Sequence, residues 1–350
     1  MGEPVLYHLG HEICFDTLPR SGGYELRYSE LGHPFYVWRN PVPRIDDMVL
    51  DCVVYLYPSI EDAMAGYRVG GSGFLIGVDS EVHENATVLY AVTNAHVIRG
   101  NCPIIRLNTK LGAKDVIPLN AEDWVLHEDG DDLAVCPLVM APGVYKYRYI
   151  PSNLFVTPEL VEQHRIGPGD DVFMVGRFIS HEGQQRNTPL ARFGNISMMP
   201  WEPIPTEWGI AQDSFLVEVR SLSGFSGSPV FVDIRPYTTR PGVDPKTLDV
   251  VTEPLGGPWL LGVDWGHPKF HEPVKQREGE RWVDVPEGWV IESNSGQAAV
   301  LPAWRLQQLL NQEELVMARK RADDEVTKRK DSSSVTLDMR GNDIRQQPED

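Results

Sequence analysis

The chain lacks any long apolar run. Nothing in its 350 residues approaches the roughly 20 consecutive apolar residues that span a bilayer, so no transmembrane helix is expected. Its start, Met1-Gly2-Glu3-Pro4, has no basic cluster and no apolar segment behind it, so no secretory signal is visible. Leu6 stands where myristoylation needs Ser or Thr. Positive charge is scarce as well: 32 Lys and Arg face 50 Asp and Glu, a net charge of −18. That excludes nucleic acid and anionic membranes as natural partners, since both require a basic face. Cysteine is rare, with Cys14, Cys52, Cys102 and Cys136 scattered and no C-x-x-C. The expectation is reduced thiols in a cytoplasmic protein, not a disulfide framework. His11-Glu12, His83-Glu84, His127-Glu128, His181-Glu182 and His271-Glu272 recur without a second ligand at metal spacing. They read as surface pairs, and no metal or other cofactor is expected.

What is abundant is turn chemistry. Thirty-one glycines and 28 prolines suit many short strands joined by tight turns. Residues 1–48 form an N-terminal arm with one candidate strand, Tyr24–Tyr28. From Met48 the strand signals become regular: 49–57, 71–78, 87–93, 103–107, 124–127 and 132–139 alternate with Gly, Asn and Asp turns. Residues 140–165 look like a connection. A second series follows at 172–176, 215–219, 230–232 and 258–266, with Pro-, Gly- and charge-rich insertions at 233–257 and 267–288. The pattern predicts an all-β barrel or sandwich. From Ala303 the apolar spacing turns helical, and 312–350 is a charged tail expected to be a frayed helix with disorder.

One stretch is hard to justify as packing. In Gly224-Phe225-Ser226-Gly227-Ser228-Pro229 a serine lies between two close glycines, just before a strand. Glycines accept positive φ and allow close approach, which lets backbone N–H groups converge beside a hydroxyl and build an oxyanion hole. A serine needs a base to become a nucleophile, and the base needs a carboxylate to fix its tautomer. The chain supplies both in order: His96 at the end of an apolar strand, and Asp132 at the opening of another.

Thr93-Asn94-Ala95-His96-Val97, Asp132-Leu133-Ala134-Val135 and Gly224-Phe225-Ser226-Gly227-Ser228-Pro229 resemble the three motifs of trypsin/chymotrypsin-like serine peptidases, closest to the bacterial HtrA-like branch. Gly71–Ile76, Leu261-Gly262-Val263 and Ala299-Val300-Leu301-Pro302 resemble supporting strands, so the likeness covers about 49–311. It implies a chymotrypsin-like double β-barrel with a C-terminal helix and charged tail. The first barrel would be 49–140 with His96 and Asp132. The second would be 141–311 with Ser226 and the start of the helix. It further implies a serine endopeptidase acting through a His96-Asp132-Ser226 triad and an acyl-enzyme. The N–H groups of Gly224 and Ser226 would form the oxyanion hole, and substrate would pair along Trp265 and Gly266.

The departures from the family pattern are informative. Phe225 replaces the aspartate that pairs with a newly cut N-terminus in the zymogen branch, so that activation route is closed. Asp264 stands where a small polar residue often supports the catalytic aspartate; a carboxylate there would repel Asp132 unless it points away. No PDZ-like segment follows the helix. Arg220 lies near the expected pocket floor, with Gly266 and Gly296 as candidate walls. Buried, Arg220 would favour acidic residues before the cut; facing solvent, the commoner use, it would not. The expected partners are a protein or peptide substrate and, should the loop need setting, an activating protein. The competing reading is a partner-regulated or catalytically silent peptide-binding module on the same fold.

Overall fold

The computed structural model describes residues 24–28, 34–38, 45–84, 86–141, 143–177, 183–206, 209–219, 224–234, 239–241, 248–250, 258–285 and 289–344. The chain divides into two compact units, Met1–Ile45 and Asp46–Asp350. In the first, strand β1 (Tyr24–Tyr28) pairs antiparallel with β2 (Pro34–Trp38), so the single strand expected in the arm is half of a hairpin.

The second unit begins with a helical turn, α1 (Asp47–Leu50), where the sequence reads as strand from Met48. Asp46 decides this: its carboxylate accepts the N–H of Met48 and caps the turn. Then come β3 (Val53–Tyr57), α2 (Ile60–Ala65), β4 (Gly71–Asp79), β5 (Thr87–Thr93), α3 (Ala95–Arg99), β6 (Ile104–Asn108), β7 (Lys114–Ile117), β8 (Val125–Leu126), β9 (Ala134–Leu138) and β10 (Ile150–Pro151). They form one sheet in the order β7-β6-β3-β4-β5-β9-β8, with β10 parallel to β4. The sheet curls round a single core of Val54, Leu56, Leu75, Ala91, Ile105 and Ala134, and Ile117 and Leu126 of its two edge strands pack against that same core.

After α4 (Pro158–His164), capped by the Thr157 hydroxyl, the chain builds a second β-structure. Its strands are β11 (Asp171–Gly176), β12 (Leu190–Met198), β13 (Ile204–Pro205), β14 (Ala211–Gln212), β15 (Phe215–Glu218), β16 (Pro229–Val232), β17 (Thr239–Pro241), β18 (Leu248–Val250), β19 (Trp259–Gly266), β20 (Lys269–Pro273), β21 (Lys275–Glu278), β22 (Arg281–Asp284), β23 (Val290–Asn294) and β24 (Gln297–Pro302). Six of these close a barrel, β11-β12-β15-β24-β19-β16. Its core holds Val172, Met174, Phe215, Val217, Val230 and Val300. The described parts of both insertions are two-stranded ribbons: β17 with β18, β20 with β23, and β21 with β22.

The chain is thus all-β in its body, and helices close it. In α5 (Ala303–Leu310), Trp304 stacks edge-on against Phe215 (5.5 Å). Within the described residues the charged tail forms one helix, α6 (Glu313–Ile344). It is fastened to the first sheet by Arg319 on the Tyr90 hydroxyl (3.2 Å) and by Asp323, which accepts from the Ser80 hydroxyl (2.7 Å). Among the described residues no helix is long and apolar enough to cross a membrane.

Candidate functional site

His96 sits on α3, a single helical turn that starts directly after β5. Its position is set by Asp132, which is 3% exposed. One carboxylate oxygen accepts the His96 backbone N–H at 2.7 Å, and the other lies 2.5 Å from Nδ1 of the ring. With a carboxylate as acceptor, Nδ1 carries the proton and Nε2 is left as the basic nitrogen. Asn94, the cap residue of the turn, donates its side-chain N–H to the Asp132 carbonyl (2.9 Å) and so ties the two segments a second time.

The loop carrying Asp132 is held from the second half of the chain. Gln212 on β14 accepts the Asp132 N–H through Oε1 at 2.6 Å. Arg305 on α5 donates to the carboxylates of Asp131 and, at 3.3 Å, Asp129. With its amide oriented so that the oxygen accepts the Glu128 N–H (2.6 Å), Gln312 also donates to the Leu126 carbonyl (3.3 Å). Buried His127 accepts the Asp129 N–H on Nδ1 (3.3 Å), and burial pushes its pKa down. Sequence reasoning missed Gln212, Arg305 and Gln312 because nothing local marks them.

Ser226 arrives on the turn between Gly224 (φ +95°) and Gly227 (φ +83°). Its carbonyl accepts the Ser72 N–H at the start of β4 (2.8 Å). That start is where the α3 turn also packs: a Cβ on Gly71 would meet Val97 at 2.8 Å and the Ser226 carbonyl at 3.1 Å. Only glycine lets His96's neighbour Val97 and the serine turn both approach this point of the strand so closely. Ser226 is therefore placed by its backbone, while His96 and Asp132 are joined directly. Among the described residues no hydrogen bond of the Gly224 or Ser226 N–H group is present.

Phe225 is 1% exposed and belongs to the barrel core. The guanidinium of Arg192 on β12 lies over its ring, 4.9 Å from the centroid. Asp264 is on β19 directly behind the turn: its carbonyl accepts the Gly227 N–H (2.8 Å) and its N–H donates to the Ser228 carbonyl (2.9 Å). It is fully buried. That burial pushes its carboxyl up to about 8, although the Gly266 N–H works in the opposite direction. The repulsion from Asp132 expected from the sequence is not among the causes of this shift, which is set by burial.

The remaining predicted residues divide. Trp265 is the extra residue of a β-bulge, since Asp264 faces Val300 and Gly266 faces Ala299. Its indole N–H is anchored on the Ser214 hydroxyl (2.9 Å). A side chain built at Gly266 would meet only open space. Gly296 lines a cavity of about 690 Å³ with Ala191, Arg192, Phe193, Asn195 and Glu218. Arg220 lies outside the described residues. The cation that does line this cavity is Arg192, which the sequence did not single out. Cys52, just before β3, Cys102, between α3 and β6, and Cys136, on β9, are buried free thiols, and burial pushes Cys136 up to about 12.

No family model matches the chain, and no curated protein matches it. Among solved structures it is similar to Deg5, at 19% identity and a TM-score of 0.34 over 53% of this chain and 75% of that one. It is similar to the HtrA-type protease AlgW with decapeptide, at 13% identity and 0.38 over 75% of this chain and 64% of that one. It is also similar to the active form of the Rv3671c protease from M. tuberculosis, at 16% identity and 0.38 over 75% and 81%. These values add nothing to the site, which stands on the contacts described above.

Proposed function

We propose that the chain is a serine endopeptidase in which Ser226 is the nucleophile, His96 the base and Asp132 the group that orients His96. The observation that carries this reading is the double grip of Asp132 on His96, through the backbone N–H at 2.7 Å and the ring Nδ1 at 2.5 Å. It leaves Nε2 as the basic nitrogen, and in this reading Nε2 takes the proton of Ser226, whose turn is bonded to the same strand, β4, that the α3 turn packs against. In the reaction, Ser226 Oγ bonds to the carbonyl carbon of the scissile peptide while its proton passes to Nε2. The carbonyl oxygen, now negative, is received by the N–H groups of Gly224 and Ser226. His96 then returns the proton to the leaving amine, and water hydrolyses the acyl-enzyme by the same route. The bulged edge at Trp265 and Gly266 would pair with the substrate main chain, and the cavity beside Arg192 and Gly296 would receive a side chain.

The test is labelling with a fluorophosphonate, wild type against Ser226→Ala. Labelling that disappears in the variant supports the reading. A wild type that stays unlabelled while folded overturns it in favour of peptide binding without cleavage.

A further inference from the structure

Phe225 cannot form the ion pair that sets the oxyanion loop in zymogen-type enzymes, so something else must hold that loop. We propose that Ser72, on the opposite sheet, is the positioning residue that does so. The inference rests on the hydrolase reading above and extends it to the way the site is kept ready.

Ser72 is the second residue of β4 and is fully buried. Its N–H donates to the carbonyl of Ser226 (2.8 Å), and its hydroxyl donates to the carbonyl of Gly224 (3.3 Å). It therefore engages the carbonyls of the two residues whose N–H groups form the proposed hole. The hydroxyl also accepts the Arg177 N–H (3.0 Å), which directs its proton toward Gly224. The Ser72 carbonyl is fixed in turn by the Thr93 hydroxyl (2.8 Å), three residues before His96.

The need for such a latch comes from the turn itself. Gly224 and Gly227 both have positive φ, and glycine exchanges between peptide orientations at little cost. If the plane between Gly224 and Phe225 turned over, the ψ of Gly224 would change and the Gly224 and Ser226 N–H groups would no longer keep a fixed orientation to one another. The rest of the turn has restraints from the second barrel: the Phe225 carbonyl accepts the Ser228 N–H (2.8 Å), the Gly227 N–H donates to the Asp264 carbonyl (2.8 Å), and the Phe225 ring is anchored in the core. The Gly224 carbonyl is restrained by Ser72. The oxyanion hole of the second barrel is thus set by a side chain of the first, so it forms only when the two pack together.

The experiment compares wild type and Ser72→Ala in fluorophosphonate labelling, resolved into the saturating rate and the half-saturating concentration. The same proteins are followed by amide exchange of the peptide covering Gly224–Pro229. Loss of the hydroxyl is expected to slow the saturating rate by about 10- to 100-fold, a part of what removing an oxyanion donor does. The half-saturating concentration should stay within about two-fold, and exchange of the loop should accelerate. A general loss of structure would instead lower the active fraction without this split. Labelling at the wild-type rate, or loop exchange unchanged from wild type, overturns the proposal. If wild type itself does not label, the hydrolase reading fails, and the exchange measurement alone decides whether Ser72 holds the loop. Should Ser72→Ala not fold, Ser72→Cys, which keeps the size and offers only a weak donor, is judged by the same two results.

Discussion

Arg305 grips Asp131, the neighbour of Asp132, across 174 positions of sequence. Asp131 is 5% exposed, and the guanidinium donates directly to its carboxylate. Removing one partner of a buried pair strands the other. Arg305→Ala should lower unfolding free energy by about 3 kcal/mol, read from urea denaturation. Arg305→Lys should recover only part, because an ammonium cannot reproduce the fork that reaches both Asp129 and Asp131.

The buried Asp264 gives stability a pH dependence of opposite sign to an ordinary paired carboxylate. Its pKa is 3.8 when unfolded and about 8 when folded, so between those values the native state binds the extra proton. Stability therefore falls as pH rises from about 4 to about 8 and levels off above that. Asp264→Asn should abolish this slope and be more stable than wild type at neutral pH by a few kcal/mol, as thermal unfolding across that range would show. A wild-type curve parallel to that of the variant would contradict a raised Asp264 pKa.

Gly227 admits no side chain. A Cβ there would meet the Ser72 carbonyl at 2.1 Å and the Thr93 hydroxyl at 2.5 Å, at φ +83°. Gly227→Ala combines a left-handed strain of about 1–2 kcal/mol with overpacking of about 1–3 kcal/mol. The expected result is a folded but destabilised protein that has lost fluorophosphonate labelling.

Phe225 tests the loop from the opposite side. Phe225→Ala should cost about 3–5 kcal/mol as a core truncation. Phe225→Leu keeps most of the volume but loses the contact with Arg192, worth about 1 kcal/mol or more. Guanidinium denaturation separates the two, and a Leu variant as unstable as Ala would mean that the ring–cation contact carries more than packing does.

Much of this architecture was legible because it is written locally. The Asn94-Ala95-His96 turn, the Asp132 strand entrance and the Gly224–Gly227 turn each combine turn chemistry with an apolar strand, and each is where the spacing put it. What was not legible depends on distant partners. Arg106 reads as the polar residue of a strand, yet it is fully buried, with its guanidinium 4.8 Å from the Tyr57 ring and bonded to Asn187 (2.7 Å). No periodicity reports a partner 81 residues away. Gln212, Arg305 and Gln312 were silent for the same reason, and Ser72 read only as part of a glycine-rich strand. Asp264 was noticed as a possible conflict of charge; what raises its pKa is burial, a property of the closed barrel and not of its neighbours in sequence. The helical turn at Asp47–Leu50 escaped because its residues are apolar enough for a strand, and the single cap of Asp46 decided otherwise.

The fastening of the Asp132 loop by Gln212, Arg305 and Gln312 has a consequence for vectorial synthesis. A nascent chain that has reached residue 300 already contains His96, Asp132 and Ser226, but it lacks two of the three side chains that hold the loop on which the first two meet. The loop carrying Asp132 is therefore fully fastened only after Arg305 and Gln312 have been synthesised, and a product ending before Arg305 would hold it with Gln212 alone of the three.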